Sequence, residues 1–370
     1  MHGNSPTKPR PRPPVASVPV PRQPVAEPAG GLDELRASLF ASLPRADQRK
    51  RAREYLDGLL ATHGRKSIRN IAAAVSGRAA EQRLHHFICE STWDWTPVRR
   101  TLARYVAVTA PDHAWVVRPM RPPRNARWVL GVWSAWRRAS VPVNWRLRPA
   151  GDHHRQGKGS LPRSTPQRPE SVLEGVVGSC AELVRDWGLR PRPVVMDARG
   201  SDVPALVGGL AALGLPVLLR IGAGTLLHPA CSASRAADRG MPAGELVGMA
   251  RGRFASGSDG SEAAVATVRV PGQPGTHAGE AVSASLVAFG GTGTKVTAQL
   301  WLATHSDVAA GVLRRMSMLV QRVDDDRLHI ADRVGIGDFT GGSLRGWHRH
   351  VTLASAAHAA MVFSRGTSET

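Results

Sequence analysis

The chain has 370 residues, with 49 Lys+Arg against 29 Asp+Glu and a formal net charge of +20. Three cysteines, Cys89, Cys180 and Cys231, stand at no metal-ligand or redox spacing, which excludes a disulfide framework, and no stretch approaches the length of a membrane span. A polyanion relieves such a charge excess through counterion release, so nucleic acid is the expected partner, although 44 arginines beside five lysines also fit GC-rich codon usage.

Residues 1–30 are rich in Pro and Arg and poor in large apolar side chains, which predicts a tail that buries no core. Its opening, MHGNSPTKPRPRPPV, lacks the apolar run that heads a secreted chain, so a cytoplasmic, nucleoid-associated protein is expected. From Leu32 the period becomes helical. LDELRASLFASL carries Leu35, Leu39, Phe40 and Leu43 at helical spacing, and RADQRKRAREYLDGLLATHG sets Tyr55, Leu56, Leu59 and Leu60 opposite a basic face. KSIRNIAAAVSG, AEQRLHHFICEST and the stretch from STWDWTPVRR onward continue the pattern, so residues 31–110 are expected to form a helical DNA-binding domain. His85 and His86 read as structural or surface groups, because helix neighbours cannot both face one metal.

HAWVV, RWVLGVWSAW and SVPVNWRLRP are short and rich in Val and Trp, which predicts antiparallel strands, and a basic loop follows over residues 148–170. SVLEGVVGSCAELVRDWG has the spacing of an amphipathic helix. VVMD, VPALVGGLAALG and PVLLRI then form a strand, helix, strand crossover whose ligands gather at the carboxyl ends of the strands. Asp197 stands at such an end, either as a cap or turn acceptor or as a metal ligand needing a second carboxylate. Residues 222–309 are rich in small residues, with alternating pieces such as ATVRVPG and SASLVAF, and read as a mostly β insertion. FGGTGTKVT lacks the spacing and context of a phosphate loop, and GIGDFTGG reads as a turn. Over 310–365 the helical period returns in DVAAGVLRRMSMLVQRV and SLRGWHRHVTLASAAHAAMVF. Between these, Asp324, Asp325 and Asp326 fit a solvated acidic patch or turn better than a metal cluster.

Several stretches together carry a family likeness: LFASLPRADQRKRAREYLDGLL, RKSI, EQRLHHFICESTWDWTPVRR, VPVNWRLRP, VVMDARGSDVPALVGGLAALGLP and SLRGWHRHVTLASAAHA. In this order the chain resembles the DDE-type insertion-sequence transposases that carry a β insertion before the last catalytic residue. The resemblance spans about residues 32–362 without most of the insertion. It implies an α/β protein with an RNase H-like core, a mixed sheet flanked by helices, over 111–221 and 310–365. The N-terminal helical domain and the β insertion of 222–309 complete it. Family members use two Asp and one Glu to hold two Mg²⁺ or Mn²⁺ ions for DNA cleavage and strand transfer.

The resemblance carries the second acid onto Asp197 and the third onto Asp324, as catalytic and metal-binding residues. The first is missing: WVVRPMRPPR places Arg118 and Pro119 where the family has its acids. The family's Tyr-Arg-Glu-Lys signature falls on Ser317, Val320, Asp324 and Ala331, so two phosphate-contacting cations are absent as well. A degenerate site is therefore expected, with Mg²⁺ or Mn²⁺ bound only if activity survives and no cofactor otherwise.

Binding is expected to outlast chemistry. Arg65, Lys66, Arg69, Arg99 and Arg100 in the helical part, and Arg345, Trp347, His348, Arg349 and His350 near the end, are the candidate DNA contacts, with core packing the competing role for Trp347. Arg118, Arg121, Arg124 and Arg127 form a further candidate basic stripe. The implied partner is DNA, at element-end repeats or a promoter site, with no membrane and with a homodimer by analogy with paired element ends. An impaired transposase-derived binder, an active transposase, a co-opted regulator and a decayed chain that folds poorly are the readings left open.

Overall fold

The computed structural model describes residues 32–75, 77–110, 113–150, 170–230, 240–250, 254–256, 262–272, 281–290, 299–305 and 308–366. The Pro/Arg-rich tail, most of the basic loop and most of FGGTGTKVT lie outside the described residues.

Five helices open the described chain: α1 (Leu32–Ala41), α2 (Ala46–Ala61), α3 (Ile68–Val75), α4 (Glu81–His85) and α5 (Thr96–Thr109). Each follows from its apolar spacing. In α2, Ala52, Tyr55, Leu56 and Leu59 turn inward, while Lys50 and Arg53 stay exposed. Gly58 lets α3 cross close by, since a Cβ there would stand 2.5 Å from Ile71 Cγ2. Pro97 starts α5, where its missing N–H is not needed, and the Asp94 carboxylate takes the Thr96 N–H at 2.9 Å. Beyond α4 the helix widens into a π turn at His86–Glu90. That extra residue brings both histidines to one carboxylate, with His86 Nδ1 at 2.9 Å and His85 Nδ1 at 3.6 Å from Glu90. Regular α-helical spacing does not anticipate this.

The strands β1 (Ala114–Met120), β2 (Ala126–Ala135) and β3 (Ser140–Pro149) form an antiparallel meander. After α6 (Val172–Ala181), capped by a reciprocal Ser171 and Glu174 box, come β4 (Val194–Asp197), α7 (Val203–Ala211) and β5 (Val217–Ile221). β4 runs parallel to β1 and to β5, so the core order is β3-β2-β1-β4-β5, with β1, β4 and β5 parallel. This order and the flanking helices give an RNase H-like α/β fold.

Residues 222–309 contribute β6 (Leu226–Pro229), β7 (Met241–Pro242), helix α8 (Ala243–Ala250), β8 (Phe254–Ser256), β9 (Glu262–Val270), β10 (Val282–Phe289) and β11 (Gln299–Ala303). Their strands prolong the core sheet from its β5 edge, in the order β11-β10-β9-β6-β7, with β8 paired to β9. β11 covers the edge of β5 with backbone hydrogen bonds, leaving less unpaired edge for another chain.

Helices pack on both faces of the sheet. Trp128 and Leu130 of β2 press against Gly175 of α6 on one face. Trp133, an odd number of residues further along, meets the other face and the ring of His358. His358 belongs to α11 (Leu344–Gly366), which also packs on α2, linking the N-terminal helices to the sheet. The segment DVAAGVLRRMSMLVQRV is broken at Met318 into α9 (Ala310–Ser317) and α10 (Leu319–Asp326), and α10 runs into a π turn at Arg327–Ala331. The three aspartates are thus the last turn of a helix, and the turn reading does not hold.

Between α5, α11 and β3 lies a polar core that corrects part of the expected DNA surface. Arg99 is 3% exposed and donates to Thr352 Oγ1 at 2.7 Å, the Trp145 carbonyl at 3.0 Å and His348 Nδ1 at 3.1 Å. Burial lowers its pKa to about 9, so it stays charged at neutral pH. Arg349 is also buried, donating to the Trp93 and Ile88 carbonyls with its guanidinium over the Trp93 ring. His350 bridges Tyr55 Oη at 2.8 Å and the Gly335 carbonyl at 2.7 Å. A carbonyl only accepts, so Nε2 of His350 carries the proton and Nδ1 accepts from the tyrosine. Lys66 is buried with its ammonium on the Thr62 carbonyl and its backbone N–H on Asp338, and Trp347 packs edge-on against Trp145. Lys66, Arg99, Trp347, Arg349 and His350 are internal joints and do not reach a DNA backbone. They are inside because main-chain carbonyls and rings at the helix–sheet junction satisfy their donors.

His348 stacks on Trp95 with ring centroids 4.7 Å apart and accepts from Arg99. Burial first, and the Arg99 charge second, push its pKa down to about 3. The folded state thus holds His348 neutral, and its contribution is complete above the ordinary histidine value and declines as pH falls from there towards 3. Lowering pH from 8 to 5 should cost about 2 kcal/mol through this residue alone. Urea denaturation of the wild type and of His348→Asn at both pH values checks this, because the loss between pH 8 and 5 should be smaller in the variant by about that amount.

Candidate active site at the carboxyl end of β1, β4 and β5

Three strand ends and one helix bring the candidate residues together. β1 is in register with β4 at Trp115↔Val194 and Val116↔Val195, a register that, carried on by two residues, brings Arg118 level with Asp197. Asp197 is in turn paired with Arg220 of β5. Neighbours across a sheet share a face, so Arg118, Asp197 and Arg220 form one row. α10 lies over β1 and β4 and lowers Asp324 onto that row.

Arg118 grips Asp324. Its Nη2 donates to Oδ2 at 2.6 Å and to Oδ1 at 2.7 Å, and its Nε donates to Oδ1 at 3.1 Å. Both side chains are half-buried, at 19% and 25% exposure, so the fork is fixed by packing and shielded from bulk water on part of its surface.

Asp197 is held by a different arginine. Arg199 donates from Nε to Oδ1 at 2.9 Å and from Nη2 to Oδ2 at 2.7 Å, while its backbone N–H reaches Oδ1 at 3.2 Å. The carboxylate therefore acts as a turn acceptor. Arg220 adds its charge, with Nη1 3.7 Å from Oδ2. Partial burial alone would raise the Asp197 pKa, but the Arg199 hydrogen bonds and the charges of Arg199 and Arg220 outweigh it and hold the carboxyl below its ordinary range.

The other two aspartates point elsewhere, as their separate faces on α10 require. Asp325 takes a hydrogen bond from Gln321 at 2.9 Å. Asp326 is buried, receives the Ser140 hydroxyl at 2.8 Å and has its pKa raised by burial, with the Ser140 bond opposing the shift. Of the signature positions, Ala331 is buried and Val320 is half-buried, and neither can contact a phosphate through charge.

These residues do not fit a pair of divalent ions. Mg²⁺ and Mn²⁺ need several free oxygen ligands in near-octahedral array, whereas both oxygens of Asp197 and both of Asp324 already accept from guanidinium donors. Among the described residues no group of three or more His, Cys, Asp or Glu is placed to hold a metal.

Arg199 and Arg220 were not singled out in the sequence, yet a signal existed. Arg220 is the lone charge in PVLLRI, and Arg199 lies two residues after Asp197, the spacing of a turn partner. Of the candidate DNA contacts, Arg65, Arg69 and Arg345 are exposed and Arg100 is half-buried, and Arg121, Arg124 and Arg127, in the connection from β1 and the start of β2, are exposed. His348 is half-buried and committed to Arg99.

Replacing both members of the Arg118 and Asp324 pair by Ala should destabilise the protein less than the two single replacements added together. The coupling in a double-mutant cycle should be about 1 kcal/mol, because the pair is forked but partly solvated. Denaturant melts of the four proteins measure it.

No described helix is long and apolar enough to cross a membrane. No curated protein matches the sequence. A family model described as DDE superfamily endonuclease matches residues 38–119, which run from α1 to the end of β1 and stop before Asp197 and Asp324. That match, joined to a sheet with the RNase H-like strand order, supports a DDE-type transposase family for this chain.

Proposed function

We propose that the protein is a transposase-derived DNA-binding protein that keeps the scaffold of a DDE endonuclease and has lost its metal-dependent cleavage and strand transfer. The observation that carries this reading is the Arg118 fork on Asp324. A fixed guanidinium at that place repels a divalent ion and occupies the oxygens that would bind it. The net charge of +20 and the exposed Arg65, Arg69, Arg121, Arg124, Arg127 and Arg345 support binding to a phosphate backbone without base specificity of their own. Such a protein acts by occupying DNA, at element ends or at a promoter site, as a homodimer where the sites are paired.

An active transposase is the second reading, favoured by Asp324 lying against β1, the strand that runs parallel to the one ending in Asp197. It requires Arg118 to leave Asp324 when DNA and metal arrive. The two readings part in one experiment on duplex DNA. Binding measured by fluorescence anisotropy should weaken about a thousandfold from 50 to 200 mM salt if six phosphates are contacted. In the same mixtures Mg²⁺ or Mn²⁺ should produce no cleaved or joined product. Turnover that Asp197→Ala abolishes would establish the active enzyme instead.

A further inference from the structure

We propose that the carboxyl end of β4 and β5 is a metal-free phosphate seat, in which Arg220 and Arg199 bind the oxyanion that a DDE endonuclease would reach through its metal ions. The inference rests on the DNA-binding reading above and deepens it. Three guanidiniums, Arg118, Arg199 and Arg220, surround two carboxylates, Asp197 and Asp324. Arg118 is paired with Asp324 through Nε and Nη2, so Arg199 and Arg220 share Asp197 and one positive charge is left over.

The surplus falls on Arg220. Among the described residues its side chain donates no hydrogen bond, and its contact with Asp197 at 3.7 Å is a charge pair too long for one. A guanidinium has five N–H donors in a planar fork that matches two oxygens of a phosphate. Arg220 is 29% exposed, so part of this fork reaches solvent while the rest stands on the sheet in a medium of reduced dielectric. Arg199, at 53% exposure on the turn after β4, can swing a second guanidinium to the same anion without unpacking the core. The site has thereby changed the sign of the ligand it suits. Three acids would draw cations, whereas two acids under three arginines draw an anion.

The ligand class is a phosphate oxyanion, supplied by a DNA phosphodiester or by free phosphate. Duplex DNA binding to the full chain, followed by anisotropy with EDTA or with Mg²⁺, tests the first source. Wild-type affinity should be no weaker in EDTA than in Mg²⁺, since the seat needs no metal and Mg²⁺ only competes for the phosphates. Arg220→Gln should lower it about three- to tenfold and reduce the salt slope by about 0.9, the release expected for one lost contact. Arg138→Gln, exposed in the β2 to β3 turn at the opposite end of the strands, is the control and should do less.

Thermal shift with inorganic phosphate tests the second source, and stabilisation by millimolar phosphate that Arg220→Gln removes would identify free phosphate as a ligand. Arg199→Gln, a surface change that leaves the core intact, decides the matter should Arg220→Gln fail to fold. Wild-type binding to DNA with both arginine variants no different from Arg138→Gln, and with no phosphate shift, overturns the seat. Absence of wild-type DNA binding would instead overturn the functional reading, leaving the phosphate arm to decide the seat.

Discussion

The fork between Arg118 and Asp324 joins the first strand of the core sheet to the helix laid across it, and the character of the whole site depends on that join. Three carboxylates converging on a sheet end repel one another, and the fold can tolerate them only with cations between. Here the cation is covalently part of β1. Its charge is single, its geometry is planar, and it cannot be removed by a chelator or exchanged for another ion. A neighbouring consequence is that Asp197 cannot borrow Arg118 and turns to Arg199 and Arg220. Each carboxylate acquires its own arginine, and the site becomes a closed set of ion pairs with one positive charge unmatched.

The same chemistry recurs away from the site with a different outcome. Arg99 and Arg349 are buried at the junction of α5, α11 and β3, where backbone carbonyls and aromatic rings meet their donors. An arginine in such a place is charged without an acid in contact, and the desolvation penalty of several kcal/mol is offset only when every donor finds an acceptor. The helical part and the sheet are therefore tied by a polar lattice of Arg99, His348, His350 and Tyr55 as well as by apolar contact. The net charge overstates the charge available for a partner, because several of its cations are structural.

Element type was legible wherever one period ran without interruption. The repeat in α2, the Val and Trp alternation of β1 to β3, and the strand, helix, strand run ending in PVLLRI each correspond to the elements formed. The π turns at His86–Glu90 and Arg327–Ala331 were not legible, because one inserted residue alters the phase without altering composition. Nor was the sheet extension by the strands of 222–309, since alternation predicts a strand but names no neighbour. At the site, Arg118 stood out because a charge had replaced an expected acid, whereas Arg199 and Arg220 did not. Burial of Lys66, Arg99, Arg349 and His350 was hidden for a general reason: basic residues carry no mark in sequence that separates a solvated cation from one meeting carbonyls in the core.

A change of one acid to arginine does more than delete a ligand. Removing a carboxylate would leave two acids, still attractive to a cation though less strongly. Placing a guanidinium there alters the site by two units of charge and gives the third acid a permanent partner 2.6 Å away. Coulomb interaction at short range in a half-buried setting is several times stronger than in water, so this local reversal outweighs the distant charges of the rest of the chain. In the scaffold, β1, β4 and β5 lie side by side in parallel and α10 packs across β1 and β4. Two carboxylates thus stand among three guanidiniums at this sheet end, and on the proposed reading affinity for phosphate follows from that excess of positive charge.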